Sequence, residues 1–119
     1  MVGADRKRLI DSLRQSLEGL ALPGEVALRR LPPNVVRADE LALDFDNYFT
    51  AYRGNFGTEL TAQQLAALEQ VHQLLAQMSG PGNSSLWSDG AVITHHRWTE
   101  VRDAAQRAIK ELGWSVPVA

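Results

Sequence analysis

The sequence predicts an all-α fold, and three observations carry that prediction. Apolar residues recur at three- and four-residue spacing in several segments, the pattern of a helix with one buried face. The segment TAQQ at 61–64 is a capping-box signature just ahead of such a run. No run alternates apolar and polar residues as a strand would; AVIT at 91–94, the one β-branched cluster, is too short to pair. The expected architecture is a compact bundle of four main helices, with one or two short extra helical turns in the connectors. It should form a single domain over residues 1–119, with loose ends at about 1–4 and 115–119.

The first helix is expected from about Ala4 to Gly19. Leu9, Ile10, Leu13, Leu17 and Leu20 share one stripe at 100° per residue. Arg6, Lys7 and Arg8 fall in its first turn, the unfavourable end for positive charge against the helix dipole, so this start should fray or be pinned by a partner. The connector ALPGEVALRRLPPNVVR follows. Pro23-Gly24 reads as a turn, and Pro32-Pro33 removes two amide donors and restricts Leu31. EVALRRL between them can form one or two helical turns, so the link is expected to cross an end of the bundle and not to make a tight hairpin.

The second helix is expected from about Asp39 to Arg53, ended by Gly54 and Gly57. The third starts at the Thr61 cap, with Gln64 three residues on, runs to about Met78 and stops at SGPGN. SSLWS offers a single turn closed by Gly90. Thr94 is the expected cap of the last helix, which ends at Leu112 with Gly113 just beyond it.

A chain of 119 residues can bury about 65% of its unfolded surface, enough for one core without staples. The chain has no cysteine, which excludes a disulfide framework, thiolate zinc sites and cysteine nucleophiles. No apolar run approaches the ~20 residues that span a bilayer, and no continuous apolar stretch follows the basic N-terminal residues. A cytoplasmic protein that is neither membrane-bound nor secreted is the expectation.

The net charge of −2 conceals an uneven distribution. Residues 1–37 hold seven bases and four acids, residues 38–69 hold six acids against Arg53 alone, and residues 70–119 balance at four and four. Acidity therefore belongs to one segment, and direct nucleic-acid binding is not expected.

That segment centres on DELALDFDNYFTAY, residues 39–52, with four carboxylates and four of the chain's eight aromatics. With Asp39 placed at 0°, Leu41, Phe45, Tyr48, Phe49 and Tyr52 fall between about 180° and 280°. Asp46, Asp39, Glu40 and Asp44 fall from about 340° round to about 140°. The rings form a core face, with the Tyr48 and Tyr52 hydroxyls sent to its edge, and the acids form a wet face. Glu40 and Asp44 are a like-charge pair at i,i+4, which weakens an isolated helix by about 0.2–0.5 kcal/mol. Leu43 lies in the middle of the wet face. The bland reading is a solvated surface; the functional one is a docking face (Asp39, Glu40, Leu43, Asp44, Asp46) for a partner basic at its rim and apolar at its centre.

Catalytic and metal chemistry find little support. His72 sits at the border of the third helix's apolar arc, where a histidine is more often a satisfied core-edge residue than a ligand. His95 and His96 are adjacent and point 100° apart, and no i,i+4 histidine pair exists, so no metal site and no cofactor are expected. Ser84, Ser85 and Ser88 lack a glycine-flanked elbow, and SGPGNSS lacks the lysine of a phosphate loop. Trp98 shares an arc with Val101, Ala105, Ala108, Ile109 and Leu112 and belongs to the core, whereas Trp87 and Trp114 can cover an end of the bundle or stand at an interface.

Three functions follow as expectations. The favoured one is a non-catalytic domain whose acidic second helix docks on another protein with a basic surface, in the manner of an immunity or inhibitor protein. In size and helical layout the chain resembles small bacterial immunity proteins, a likeness of kind with no shared motif and no residue role carried over. The second is a small enzyme or ligand-binding domain with a pocket near Tyr48, Tyr52, His72 and Trp87. The third is a homodimer that pairs through Trp114, the proline-rich link or the alanine face.

Overall fold

The computed structural model describes residues 2–118 of the chain, with side chains from Asp5 onward. Of the expected loose ends, Met1 and Ala119 lie outside the described residues. Every regular element among the described residues is helical: α1 (Val2–Ala21), α2 (Gly24–Arg29), α3 (Arg37–Phe56), α4 (Ala62–Gln77), α5 (Asp89–Thr94) and α6 (His96–Glu111), with 3₁₀ segments at Gly57–Glu59 and Pro81–Trp87. The all-α class is therefore found, with eight helical segments among the described residues where four main helices and one or two short extra turns are expected.

Helix α3 outruns its expected bounds at both ends. At the N-terminus the Arg37 guanidinium is held by the Asp89 carboxylate and by the Leu28 carbonyl, 3.4 Å away. At the other end the helix passes through Gly54, whose cost in a helix interior is only about 1 kcal/mol. Carrying the turn onward sets Phe56 against Tyr52, ring centroids 5.6 Å apart, with Phe56 partly buried on the core. Burial of that ring outweighs the glycine.

The stretch 84–95 differs from expectation. Gly90 does not close a turn and Thr94 does not cap α6. Instead Ser88 caps α5, its hydroxyl accepting from the Ala91 amide at 3.1 Å. The Thr94 hydroxyl donates back to the Gly90 carbonyl at 2.9 Å, and His95 caps α6 through Nδ1. The β-branched AVIT is helical because Val92 is buried there; tertiary packing overrides a propensity of a few tenths of a kcal/mol.

Two boundaries follow their local chemistry closely. The Thr61–Gln64 capping box opens α4 as expected, each side chain bonded to the other's amide. Beyond α6, Gly113 adopts φ 78°, its amide bonding Lys110 and the Trp114 amide bonding Ile109, which is the Schellman arrangement.

The core is built on Phe45 and Phe49, stacked with centroids 5.5 Å apart, together with Leu13, Leu17, Leu68 and Val71. From α6, Val101, Ala105, Ala108 and Ile109 complete it. Three pairings dominate: α1 packs on α3, α1 packs on α6, and α4 packs on α6. Small alanines on α6 allow these close approaches. The backbones of α3 and α4 stand apart, and the two helices meet through side chains. The radius of gyration, 13.9 Å, is close to the ~13.5 Å of a compact chain this long. No helix among the described residues is long and apolar enough to cross a membrane.

Candidate functional site: a cleft between α3 and α4

Because α3 and α4 are held apart by their separate attachments to α1 and α6, a cleft of about 440 Å³ opens between them. Helix α3 contributes Asp39, Ala42, Leu43 and Asp46, at positions i, i+3, i+4 and i+7. Helix α4 answers with His72, Leu75 and Ala76, and Ser79, just past its end, follows at the same spacing. Two single helix faces are thus turned toward one space. Small side chains at Ala42 and Ala76 leave the space unfilled, and Gly80 and Trp87 close one end.

The cleft has one strut. Asp46 Oδ1 lies 2.7 Å from His72 Nδ1, linking the two helices. The contact shuts that carboxylate oxygen off from solvent. The His72 ring rests near Phe49, centroids 6.0 Å apart. Trp87 is fixed independently: its indole N–H donates to the Met78 carbonyl at 2.8 Å, and its ring meets Trp98 edge-on at 5.4 Å. Leu43, 51% exposed, stands at the rim.

The negative charge of α3 is not neutralised from within. Arg53, the sole base in 38–69, lies 3.5 Å from Glu69 and over the Phe49 ring at 5.0 Å. Among the described residues Asp39, Glu40 and Asp44 have no ion-pair partner, and Asp46 has only His72.

The residues singled out from sequence thus separate into groups. Asp39, Leu43, Asp46, His72 and Trp87 share the cleft. Asp44 and Tyr48 line a second, smaller cleft of about 190 Å³ on the other flank of α3, beside Ser12, Ser16 and Arg30. Burial there holds the Asp44 carboxyl above its ordinary value. Glu40 is half-buried and lines neither space.

Tyr52 is buried, with its hydroxyl donating to Glu59 Oε2 at 3.1 Å; Arg6 Nε donates to the same oxygen at 2.7 Å. Burial first, then the hydrogen bond and charge of Glu59, push the Tyr52 phenol up. The hydrogen bond from Arg6 is the main reason that the Glu59 carboxyl lies below its ordinary range. The basic start of α1 is therefore pinned by its own chain. Trp114 is half-buried under the Arg14 guanidinium, 5.7 Å from the ring centroid.

Tyr48, Tyr52, His72 and Trp87 consequently do not line one pocket. The far wall of the cleft, Leu75, Ala76 and Ser79, escaped sequence reasoning. Its trace there is the repeat of α3's spacing from His72 through the end of α4 to Ser79, with a small residue at the centre of each face. No group of three or more His, Cys, Asp or Glu among the described residues could hold a metal ion. No family model, no curated protein and no solved structure matches this chain.

Proposed function

We propose that this protein binds another protein through the acidic face of α3, without catalysis. The observation that carries this reading is Leu43, half exposed between Asp39 and Asp46 at the mouth of an apolar-floored cleft, with no cation among the described residues paired to Asp39. An apolar centre inside a charged rim is the composition of a protein interface, and the rim's sign selects a basic partner. Unscreened carboxylates also accelerate the encounter with such a partner by long-range attraction. In concrete form this is an inhibitor- or immunity-type protein that covers the basic groove of a nuclease or other toxin.

The test is capture from the source cell with the wild-type chain and with an Asp39→Asn/Asp46→Asn variant, followed by association kinetics at two salt concentrations. The variant should lose the partner, and the wild-type association rate should fall steeply with salt. Capture of the same partner by both proteins, at a salt-independent rate, overturns the reading.

A second reading rests on size. A cleft of about 440 Å³ lies within the ~300–1,000 Å³ of small-molecule sites. A ligand screen by thermal shift distinguishes it: a small molecule without a cationic group that stabilises wild type but not an Ala76→Leu variant favours this reading over protein docking.

A further inference from the structure

We propose that the α3–α4 cleft receives a single cationic side chain, an arginine or lysine at the centre of the partner's docking surface. The inference rests on the protein-binding reading above and names the chemistry at its middle.

Each kind of occupant meets the same lining. A phosphate or carboxylate would enter between Asp39 and Asp46 against two like charges. A wholly apolar group would cover Ala42, Leu75 and Ala76, but would strip water from the Asp39 and Asp46 carboxylates without offering them a donor. A guanidinium or ammonium on an aliphatic stem satisfies both demands. Its N–H groups supply charge-assisted donors to the carboxylates, and its methylenes lie along the apolar floor. The indole of Trp87, locked by Met78 and Trp98, adds an aromatic wall of the kind that favours a cation.

The source of the cation is a side chain and not a free amine because the complementary surface continues beyond the cleft. Leu43 protrudes at the rim, and Glu40, which lines neither cleft, adds a further carboxylate to the same helix, with no ion-pair partner among the described residues. A small amine in the cleft would leave both uncovered; a protein surface covers them.

The test uses the full chain at pH 8, above the ordinary imidazole range, with n-butylguanidinium as the arginine mimic and pentanoate as the anionic control. In amide NMR titrations butylguanidinium should shift residues 39–46 and 72–80 saturably, and pentanoate should not. Asp46→Asn should weaken that binding by about tenfold, as loss of a charged hydrogen-bond acceptor does. Ala76→Leu, which fills the floor at an exposed helix position and leaves both carboxylates in place, should abolish it. The dispersion of the same spectra reports whether each variant folds.

Absence of a saturable shift, equal binding of pentanoate, or butylguanidinium binding unchanged in both variants overturns the proposal. If butylguanidinium fails while the partner is still lost from the Asp39→Asn/Asp46→Asn variant, the cleft proposal falls and the wider reading stands. If butylguanidinium binds as expected while partner capture survives those substitutions, docking through this face falls, and the side-chain source proposed here falls with it.

Discussion

At Gly24 a single hydrogen atom sets how closely two helices meet. A Cβ there would lie 2.5 Å from the Val92 carbonyl oxygen and 2.8 Å from Ile93 Cα. Both are backbone atoms of α5, so no flexible side chain can swing clear. Gly24→Ala should therefore cost about 1–3 kcal/mol in urea unfolding, the range of overpacked sites. Sequence marked this glycine only as half of a Pro-Gly turn; its close neighbour is 68 positions away and leaves no local trace.

Two carboxyl groups should give opposite pH signatures. Glu59 titrates below its ordinary value because Arg6 donates to it. Its contribution is thus complete above the ordinary glutamate range and fades as pH falls through the lowered value. Asp44 titrates above its ordinary value because of burial, so the folded state loses stability as pH rises from the ordinary aspartate range through the raised value. Urea midpoints from pH 7 to pH 3 should show Glu59→Gln less stable than wild type at pH 7. Asp44→Asn should be more stable there, and both differences should shrink toward pH 3.

At the scale of elements, α3 shows which features of a helix are local. The inward phase of its rings followed from a 100° step alone, whereas the acids divide between its two flanks. Phe45, Phe49 and Tyr52 are buried, and the outward positions Asp39 and Leu43 are exposed. Its length did not follow, because Gly54 reads as a stop and only the burial of Phe56 beyond it overrides that. Gly54 now sits in a helix with nothing within 4 Å of where a Cβ would stand. Gly54→Ala should raise stability by about 0.5–1 kcal/mol in urea unfolding, since alanine restricts the unfolded chain and fits the helix. The short elements divide the same way. Thr61 caps α4 with atoms three residues away, and that was readable; α5 exists because Val92 has a distant place to be buried, and that was not.

Across the whole molecule, α6 finishes what α1 leaves open. Helix α1 has no base in its last turn, yet its final carbonyls are not left bare. Arg102 Nε donates to the Leu22 carbonyl and Gln106 Nε2 to the Ala21 carbonyl, each at 3.1 Å. A helix end is thus capped by side chains 80 and 85 residues on. Gln106→Leu keeps much of the volume and removes one such bond; it should lower stability by about 1 kcal/mol, measured by thermal unfolding. The same long-range attachments hold α3 and α4 apart, so the cleft is a property of the assembly and of no single helix.

By itself the sequence determined the helical class, the buried ring face of α3, the capping box at Thr61 and the glycine stop at 113. Each depends on groups within a few residues of one another, where bond geometry and the 3.6-residue turn leave little freedom. Tertiary structure alone decided that Asp39 and Asp46 face His72 and Trp87 while Asp44 and Tyr48 face the opposite way, and that Tyr52 spends its hydroxyl on Glu59. A helical repeat states which side chains share a face. How far that face stands from its neighbour is set by side-chain volumes on α1 and α6, remote in the chain and adjacent only after folding.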